Sequence, residues 1–225
     1  MNKEKIHSSA LDLVTTGNVS TSHEPVIFTS CCKKDAEDFV ITHDGHALIH
    51  STPAGKNLED LNLFSHMSGK MAYLYWFILS TRFILENEYP ENVKFIGNPD
   101  NKTSTAFGIE IPLLFHKKDN VKTLFNPLTG YTKQKDEWID AKLMRPYVTE
   151  LLNSYMNGAP TYERSEEEDT LFKKFSERAD GLPQAEDPLE LRMEYSLKLI
   201  TLGILAPHFP TEKRMDTSPL NYALI

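Results

Sequence analysis

The stretch from Met71 to Leu85 constrains the fold more than any other part of this sequence. It is apolar on nearly all sides when it is drawn as a helix. Its longest apolar run, Met71 to Leu79, is flanked by Lys70 and Arg82, whereas about 20 apolar residues are needed to cross a bilayer. A helix that is hydrophobic all round is normally buried in a protein core. The sequence therefore predicts a buried helix at the centre of the fold and no membrane anchor.

A longer helical pattern leads into this core helix. Apolar residues recur at steps of three and four from Leu58 to Ile78, and Asn57 is a suitable cap for the first turn. Gly69 is a point at which the pattern can break into two helices. We expect the second helix to end near Tyr89-Pro90.

The first half of the chain also carries strand signals. Residues 26–31 are rich in β-branched and aromatic side chains, and residues 39–50 contain Asp44-Gly45 at their centre. Asp-Gly between apolar runs is the strongest short-range signal for a hairpin. Further strands are predicted at 93–96, 106–115 and 121–125, and Pro112 suggests an edge strand or a bulge in its segment. We therefore expect short antiparallel strands and hairpins packed on the central helix.

The chain is predicted to form one domain of the α+β class. Residues 1–24 are mostly polar, which favours a mobile N-terminal arm. Residues 25–210 form the predicted domain, with helices only from Lys135 onward, because no flexible spacer separates the strand-rich half from the helical half. Residues 211–225 are predicted to form a loosely held tail.

Charge and composition narrow the possible partners and the location. The chain has 24 Lys+Arg against 32 Asp+Glu, a net charge of -8, which disfavours a general electrostatic attraction to nucleic acid or to anionic membranes. Nucleic acid is predicted to bind only through local lysine pairs. These pairs are Lys33-Lys34, Lys117-Lys118 and Lys173-Lys174.

The N-terminus lacks the apolar run of a secretory signal, so we predict a cytoplasmic protein. The adjacent Cys31 and Cys32 do not suit the usual disulfide geometry, which agrees with a reducing compartment.

The histidines around the predicted hairpin offer one candidate metal site. His43 and His46 would flank the two-residue turn as a cross-strand pair. A stable site needs three or four ligands, and Cys31, Cys32 or His23 would complete it only if the preceding strand packs alongside. The alternative interpretation is a pair of surface histidines beside a turn. No cofactor is predicted.

A second hypothesis concerns the segment Leu48-Ile49-His50-Ser51-Thr52, which is followed by Asn57-Leu58-Glu59-Asp60-Leu61. This segment resembles the opening of ADP-ribosyltransferase-like domains, in which a strand ends in a histidine and a short helix follows. The resemblance implies that His50 and Thr52 line a pocket for a nicotinamide dinucleotide. It implies a later catalytic glutamate as well, for which Glu110 is the first candidate.

A third hypothesis comes from Pro99-Asp100 with Glu110 ten residues later. The arrangement resembles the metal-binding carboxylates of restriction-type nucleases, although Pro112 stands where that family has a lysine. The resemblance implies a divalent cation held by Asp100 and Glu110.

The leading functional expectation is a noncatalytic one. The sequence contains no coherent set of acid, base and nucleophile, while Tyr73, Tyr75 and Trp76 give the central helix more aromatic surface than one packing stripe requires. We therefore expect a binding or assembly subunit of a cytoplasmic protein or nucleoprotein complex, with a protein partner that contacts these aromatic residues.

Overall fold

A computed structural model of the chain describes residues 2–98 and 110–136. Helices and short strands alternate through this part of the chain. The helices are α1 (Lys3–Thr16), α2 (Lys33–Thr42), α3 (Pro53–Asp60), α4 (Gly69–Glu86) and α5 (Ile111–Lys117). The strands are β1 (Glu24–Pro25), β2 (Ile27–Phe28), β3 (His46–Ala47), β4 (Asn92–Ile96), β5 (Thr123–Phe125) and β6 (Thr132–Gln134). Single turns of 3-10 helix occur at Ser30–Cys32, Ile49–Ser51 and Leu63–Ser65.

The strands follow one another across the molecule in the order β3, β1 with β2, β4, β5, β6. Val26 alone separates β1 from β2, and its N–H donates to the carbonyl of Ala47 at 2.8 Å, so one extended segment pairs with β3 on one side and β4 on the other. The pairs β1 with β3, β2 with β4 and β4 with β5 are parallel, and only β5 with β6 is antiparallel among the described strands. The predicted combination of helices and strands is confirmed, but the predicted antiparallel pairing is wrong for these three parallel pairs.

The predicted hairpin over residues 39–50 does not form. Residues 33–42 form α2, which buries Ala36 and Phe39, and the chain turns at Gly45 with a φ of 87° before it enters β3. Asp44-Gly45 is therefore a turn, but it connects a helix to a strand. Parallel neighbours such as β1 and β3 cannot be joined by a tight turn and need a crossover connection. That requirement overrides the β-branched character of the last turn of α2.

Alternate residues of the strands point to opposite faces and enter two separate clusters. Ile27 and Phe95 belong to the larger cluster, which also includes residues of α1, α3, α4 and α5. Val26 and Ile96 belong to the smaller cluster, formed with α2. Because side chains alternate along a strand, this division places α2 on one face of the strands and the other four helices on the opposite face.

The central position of α4 agrees with the prediction. Met71, Tyr75 and Leu79 are 0% exposed. The helix begins at Gly69, where a break was expected, and the hydroxyl of Ser68 accepts from the N–H of Met71 at 3.4 Å. Within residues 2–98 and 110–136, no helix combines the length and the apolar character that a membrane crossing requires.

The N-terminal segment is not a mobile arm in this structure. Residues 3–16 form α1, which buries Ile6, Ala10 and Val14. These residues are spaced four apart, and the guanidinium of Arg82 donates to the carbonyl of Val14 at 3.1 Å. The prediction failed because it considered only the short run 11–14, whereas a helix needs just one apolar stripe to pack.

The later segments require one more correction. Residues 111–115 are helical and not extended, with Pro112 in the first turn of α5, where its missing N–H would be unpaired in any case. The predicted strands at 93–96 and 121–125 correspond to β4 and β5. The other predicted elements, namely the strand residues 106–109, the helices after residue 136 and the tail 211–225, lie outside the described residues.

Candidate functional site

The connections that leave the two neighbouring strands β2 and β4 diverge to opposite faces of the strands. After β2 the chain enters α2 on one face of the strands, and after β4 it continues to α5 on the opposite face. Ligands of open α/β sheets bind outside the carboxyl ends of the strands at such a point. We call residues 29–32, 48–51 and 97–98, which follow β2, β3 and β4, the carboxyl edge.

The loops after β2 and β4 are in close contact. Gly97 has a φ of 136°, and a Cβ atom at this position would lie 2.3 Å from Oγ1 of Thr29. The N–H of Thr29 donates to the carbonyl of Ile96 at 3.0 Å, and Nδ2 of Asn126 donates to the carbonyl of Gly97 at 2.8 Å. Glycine is required here by both the backbone conformation and the lack of space.

Two thiols lie beside this contact. Cys31 is exposed and Cys32 is half-buried, and their Sγ atoms are 3.7 Å apart. Oγ1 of Thr29 lies 3.3 Å from Sγ of Cys31. A hydrogen bond with Thr29 lowers the pKa of Cys32, but burial and the neighbouring Cys31 and Asp35 raise this pKa, and the net direction is upward. Cys32 is therefore a protonated thiol at neutral pH and not an activated nucleophile.

His50 lies on the same edge, within an aromatic cluster. Its ring centroid is 4.6 Å from that of Trp76 and 5.3 Å from that of Phe28. Its Nδ1 atom is buried and has no hydrogen-bond partner among the residues that the structure describes. Burial, assisted by the positive charge of Lys33, lowers the pKa of His50 to about 4, while Glu59 acts in the opposite direction. The imidazole is therefore neutral at pH 7.

An ion pair between Lys33 and Glu59 spans α2 and α3 next to this histidine. Glu37 also lies 3.6 Å from the Lys33 ammonium group. Lys33 is therefore already neutralised, and of the lysine pair at the start of α2 only Lys34 is fully exposed. Lys118 donates to the carbonyl of Leu85 at 3.3 Å, and Lys173-Lys174 lies outside the described residues.

No protein-family model, curated protein or solved structure matches this chain.

The two histidines of the predicted metal site are near each other, but not as a cross-strand pair. The rings of His43 and His46 lie 4.3 Å and 5.3 Å from the ring of Phe39, and Nδ1 of His46 is 3.1 Å from the carbonyl oxygen of His43. Nε2 of His46 lies 3.8 Å from a carboxylate oxygen of Glu24. In the described part of the chain, no three His, Cys, Asp or Glu side chains are grouped closely enough to hold a metal ion.

His50 and Thr52, the two residues assigned to a dinucleotide pocket, differ in whether they can reach a ligand. Thr52 is 2% exposed, and its hydroxyl donates to the carbonyl of Ile49 at 2.7 Å and accepts from the N–H of Gly55 at 3.0 Å. Thr52, and not the predicted Asn57, therefore caps α3, and its hydroxyl makes one donor and one acceptor hydrogen bond within the fold. Only His50 of this pair is available to the carboxyl edge.

The two candidate acids are not joined into one site. Glu110 precedes α5, and although the residue is partly exposed, its carboxyl group is buried. Burial raises the pKa of Glu110 to about 7, and a hydrogen bond with Ser80 of α4 acts in the opposite direction. A buried carboxyl with this pKa is about half protonated at neutral pH and is a weaker cation ligand than an ionised surface carboxylate. Asp100 lies outside the described residues.

The aromatic residues proposed for partner binding are only partly at the surface. Tyr75 is fully buried, with its hydroxyl against Nδ1 of His7, and is not available to a partner in this structure. Tyr73 and Trp76 are partly buried and pack against the core. In the described part of the chain, the exposed large hydrophobic residues lie elsewhere, at Ile41, Phe64, Leu128 and Tyr131.

A cleft of about 520 Å³ lies at the opposite end of β1, between residues 20–25 and 86–90. Its buried polar residue is Asn87, whose Oδ1 accepts from the N–H of Thr21 at 2.9 Å and whose Nδ2 donates to the carbonyls of Val19 and Phe83. These bonds hold two segments of the chain together and satisfy the amide. We therefore place the candidate site at the carboxyl edge and not in this cleft.

The sequence indicated Cys31 and Cys32 only as possible further ligands of the histidine pair, and it did not predict the contact between Thr29 and Gly97. Helical segments between the strands were the available signal, since alternation of strand and helix favours parallel pairing. The hairpin interpretation of Asp44-Gly45 concealed that alternation.

We expect His50 to make the protein less stable in acid. The folded-state pKa of His50, about 4, lies below the ordinary histidine value of 6.5, so the unfolded state takes up the proton first. Stability is therefore fully present above about pH 6.5 and is lost as pH falls toward 4. With allowance for partial exposure, the loss is on the order of 2 kcal/mol.

Urea unfolding at about pH 7 and about pH 4.5 measures this dependence. The variant His50→Phe keeps an aromatic ring but does not titrate, so it should lose that part of the pH dependence. The same substitution at the exposed His66 is the control and should leave the dependence unchanged. Equal pH dependence in wild type and His50→Phe would contradict the buried neutral imidazole.

Proposed function

We propose that this chain is a noncatalytic binding subunit of a cytoplasmic complex and that its ligand docks at the carboxyl edge. The observation that carries the proposal is the divergence of the connections after β2 and β4, one to α2 and the other to α5. Ligands of open α/β sheets bind outside the carboxyl ends of the strands where connections diverge in this way.

The chemistry of the edge favours binding over catalysis. Cys32 is a protonated thiol, and His50 is a neutral imidazole packed between Phe28 and Trp76. The carboxyl of Glu110 is buried against Ser80. These groups do not form a relay in which a base activates a nucleophile.

The ligand class that fits best is a small phosphate-bearing molecule, such as a nucleotide. The turn at Ser30–Cys32 leads directly into α2, so the amino end of a ten-residue helix faces the switch point. Backbone N–H groups and the helix dipole favour anions at this end. The first turn also carries the exposed Lys34 and Asp35, whose opposite charges offset each other, so the backbone N–H groups are the main attraction for an anion.

Thiol reactivity offers a direct test, because Cys31 is exposed on the edge itself. In a Cys32→Ser background, the rate of Cys31 modification by an aromatic disulfide reagent is measured with ATP, with a nicotinamide dinucleotide and with inorganic phosphate. We expect a nucleotide to slow the reaction at least about tenfold at saturation.

The control variant carries its reactive thiol away from the carboxyl edge. Ile41→Cys in a chain with Cys31→Ser and Cys32→Ser carries an exposed thiol in the last turn of α2, and its rate should not change. If no phosphate-bearing compound slows the reaction of Cys31, the proposed ligand site is wrong.

A dinucleotide-using enzyme is the second candidate, because His50 follows β3 on the same edge. On this proposal, His50→Ala abolishes binding of the dinucleotide while the protein stays folded, and wild type releases nicotinamide. Binding without release of nicotinamide supports the noncatalytic proposal instead.

A further inference from the structure

Cys31 and Cys32 place two thiols close together at the carboxyl edge. Sγ of Cys31 and Sγ of Cys32 are 3.7 Å apart, and both residues reach the surface. They sit in the turn between β2 and α2, where Oγ1 of Thr29 lies 3.3 Å from the first sulfur. The pair is therefore held next to the proposed ligand site.

This separation suits chelation better than a disulfide. A disulfide needs sulfurs about 2 Å apart and Cα atoms at least about 4.4 Å apart, whereas neighbouring Cα atoms are about 3.8 Å apart. Two thiolates that bind one ion at about 2.3 Å with a tetrahedral angle lie about 3.8 Å apart. The observed 3.7 Å is a thiol–thiol contact distance, and it also allows both sulfurs to bind one metal ion without rearrangement.

We infer that Cys31 and Cys32 form a two-thiolate binding site for a thiophilic metal ion of tetrahedral preference, of the zinc and cadmium class. Binding deprotonates both thiols, so one divalent ion displaces two protons as two metal–sulfur bonds form. Residues 2–98 and 110–136 contain no group of three ligating side chains, so within this part of the chain the other positions are left to solvent or to a docked ligand. Such a site is open and exchangeable. The inference does not depend on the proposed nucleotide site.

Cadmium titration of the reduced full chain tests the inference. We expect thiolate-to-metal charge-transfer absorption that saturates at one ion per chain. Because chelation raises the effective concentration of the second thiol, Cys31→Ser and Cys32→Ser should each weaken binding by about 100-fold. Ser65→Ala, at an exposed position outside the carboxyl edge, is the control and should bind cadmium as wild type does.

A second measurement is independent of how the variants fold. A trivalent aromatic arsenical, which bridges two close thiols, should add once to the native chain and block cadmium absorption. The inference is overturned if either serine variant binds cadmium as tightly as wild type. It is overturned as well if one ion is shared between two chains, or if the arsenical does not add to the folded protein.

Discussion

Replacing Gly55 with alanine is expected to destabilise the protein by about 4 kcal/mol or more, although the same change in an ordinary helix stabilises by up to about 1 kcal/mol. A Cβ atom at Gly55 would lie 2.0 Å from the carbonyl oxygen of Ile49. This oxygen belongs to the backbone of the turn that carries His50. It also accepts a hydrogen bond from the hydroxyl of Thr52 at 2.7 Å. The clash can be relieved only by moving α3 away from that turn.

Urea unfolding of Gly55→Ala gives the free energy of unfolding, and near-ultraviolet circular dichroism reports the packing around Trp76. Gly130→Ala is the control, since a Cβ atom there meets nothing within 4 Å and only the φ of 74° opposes it. The control should cost about 1 kcal/mol. A Gly55→Ala protein as stable as wild type would show that α3 does not pack on the Ile49–Ser51 turn as described.

Gly97→Ala is expected to cost about 4 kcal/mol, from overpacking of up to about 3 kcal/mol and backbone strain of about 1–2 kcal/mol. The added Cβ would lie 2.3 Å from Oγ1 and 3.1 Å from Cβ of Thr29. Thr29→Ala removes the closer of these contacts. In the double variant, Thr29→Ala should therefore recover at least about 1 kcal/mol, a coupling that independent sites do not show.

Denaturant unfolding gives the free energy of unfolding of wild type, Gly97→Ala, Thr29→Ala and the double variant. Gly45→Ala is the control for strain alone, because its φ is 87° and nothing lies within 4 Å of the added atom. If Gly97→Ala and Thr29→Ala are additive, the loops after β2 and β4 do not touch as described, and the geometry of the carboxyl edge is wrong.

The pattern of apolar and polar residues was sufficient to predict an element where the residues of that segment alone determine whether it is buried. The run from Met71 to Leu85 predicts α4 because a helix that is apolar all round can only be buried. The positions of β4 and β5 followed in the same way from short β-branched and aromatic runs bounded by turns. The break at Gly69 was predictable because glycine is poorly suited to a helix interior.

Local pattern failed where a distant element decided the outcome. Residues 39–42 have strand propensity, yet α2 includes them because the parallel pairing of β1 and β3 needs a crossover. Residues 111–115 also look like a strand, but they pack as α5 against the core, and Pro112 falls in the first turn, where its missing N–H does no harm. The polar N-terminus hid the single stripe that joins α1 to the core.

The candidate site shows the same division. The amino-acid order alone shows that two thiols are adjacent, that a glycine follows the strand 93–96 and that His50 ends a predicted strand. That these residues share one edge follows from the fold, because the strand order depends on pairings between segments about 70 residues apart, such as Ile27 with Phe95. Side-chain periodicity specifies which face of a strand is buried, but it carries no information on which strand lies alongside.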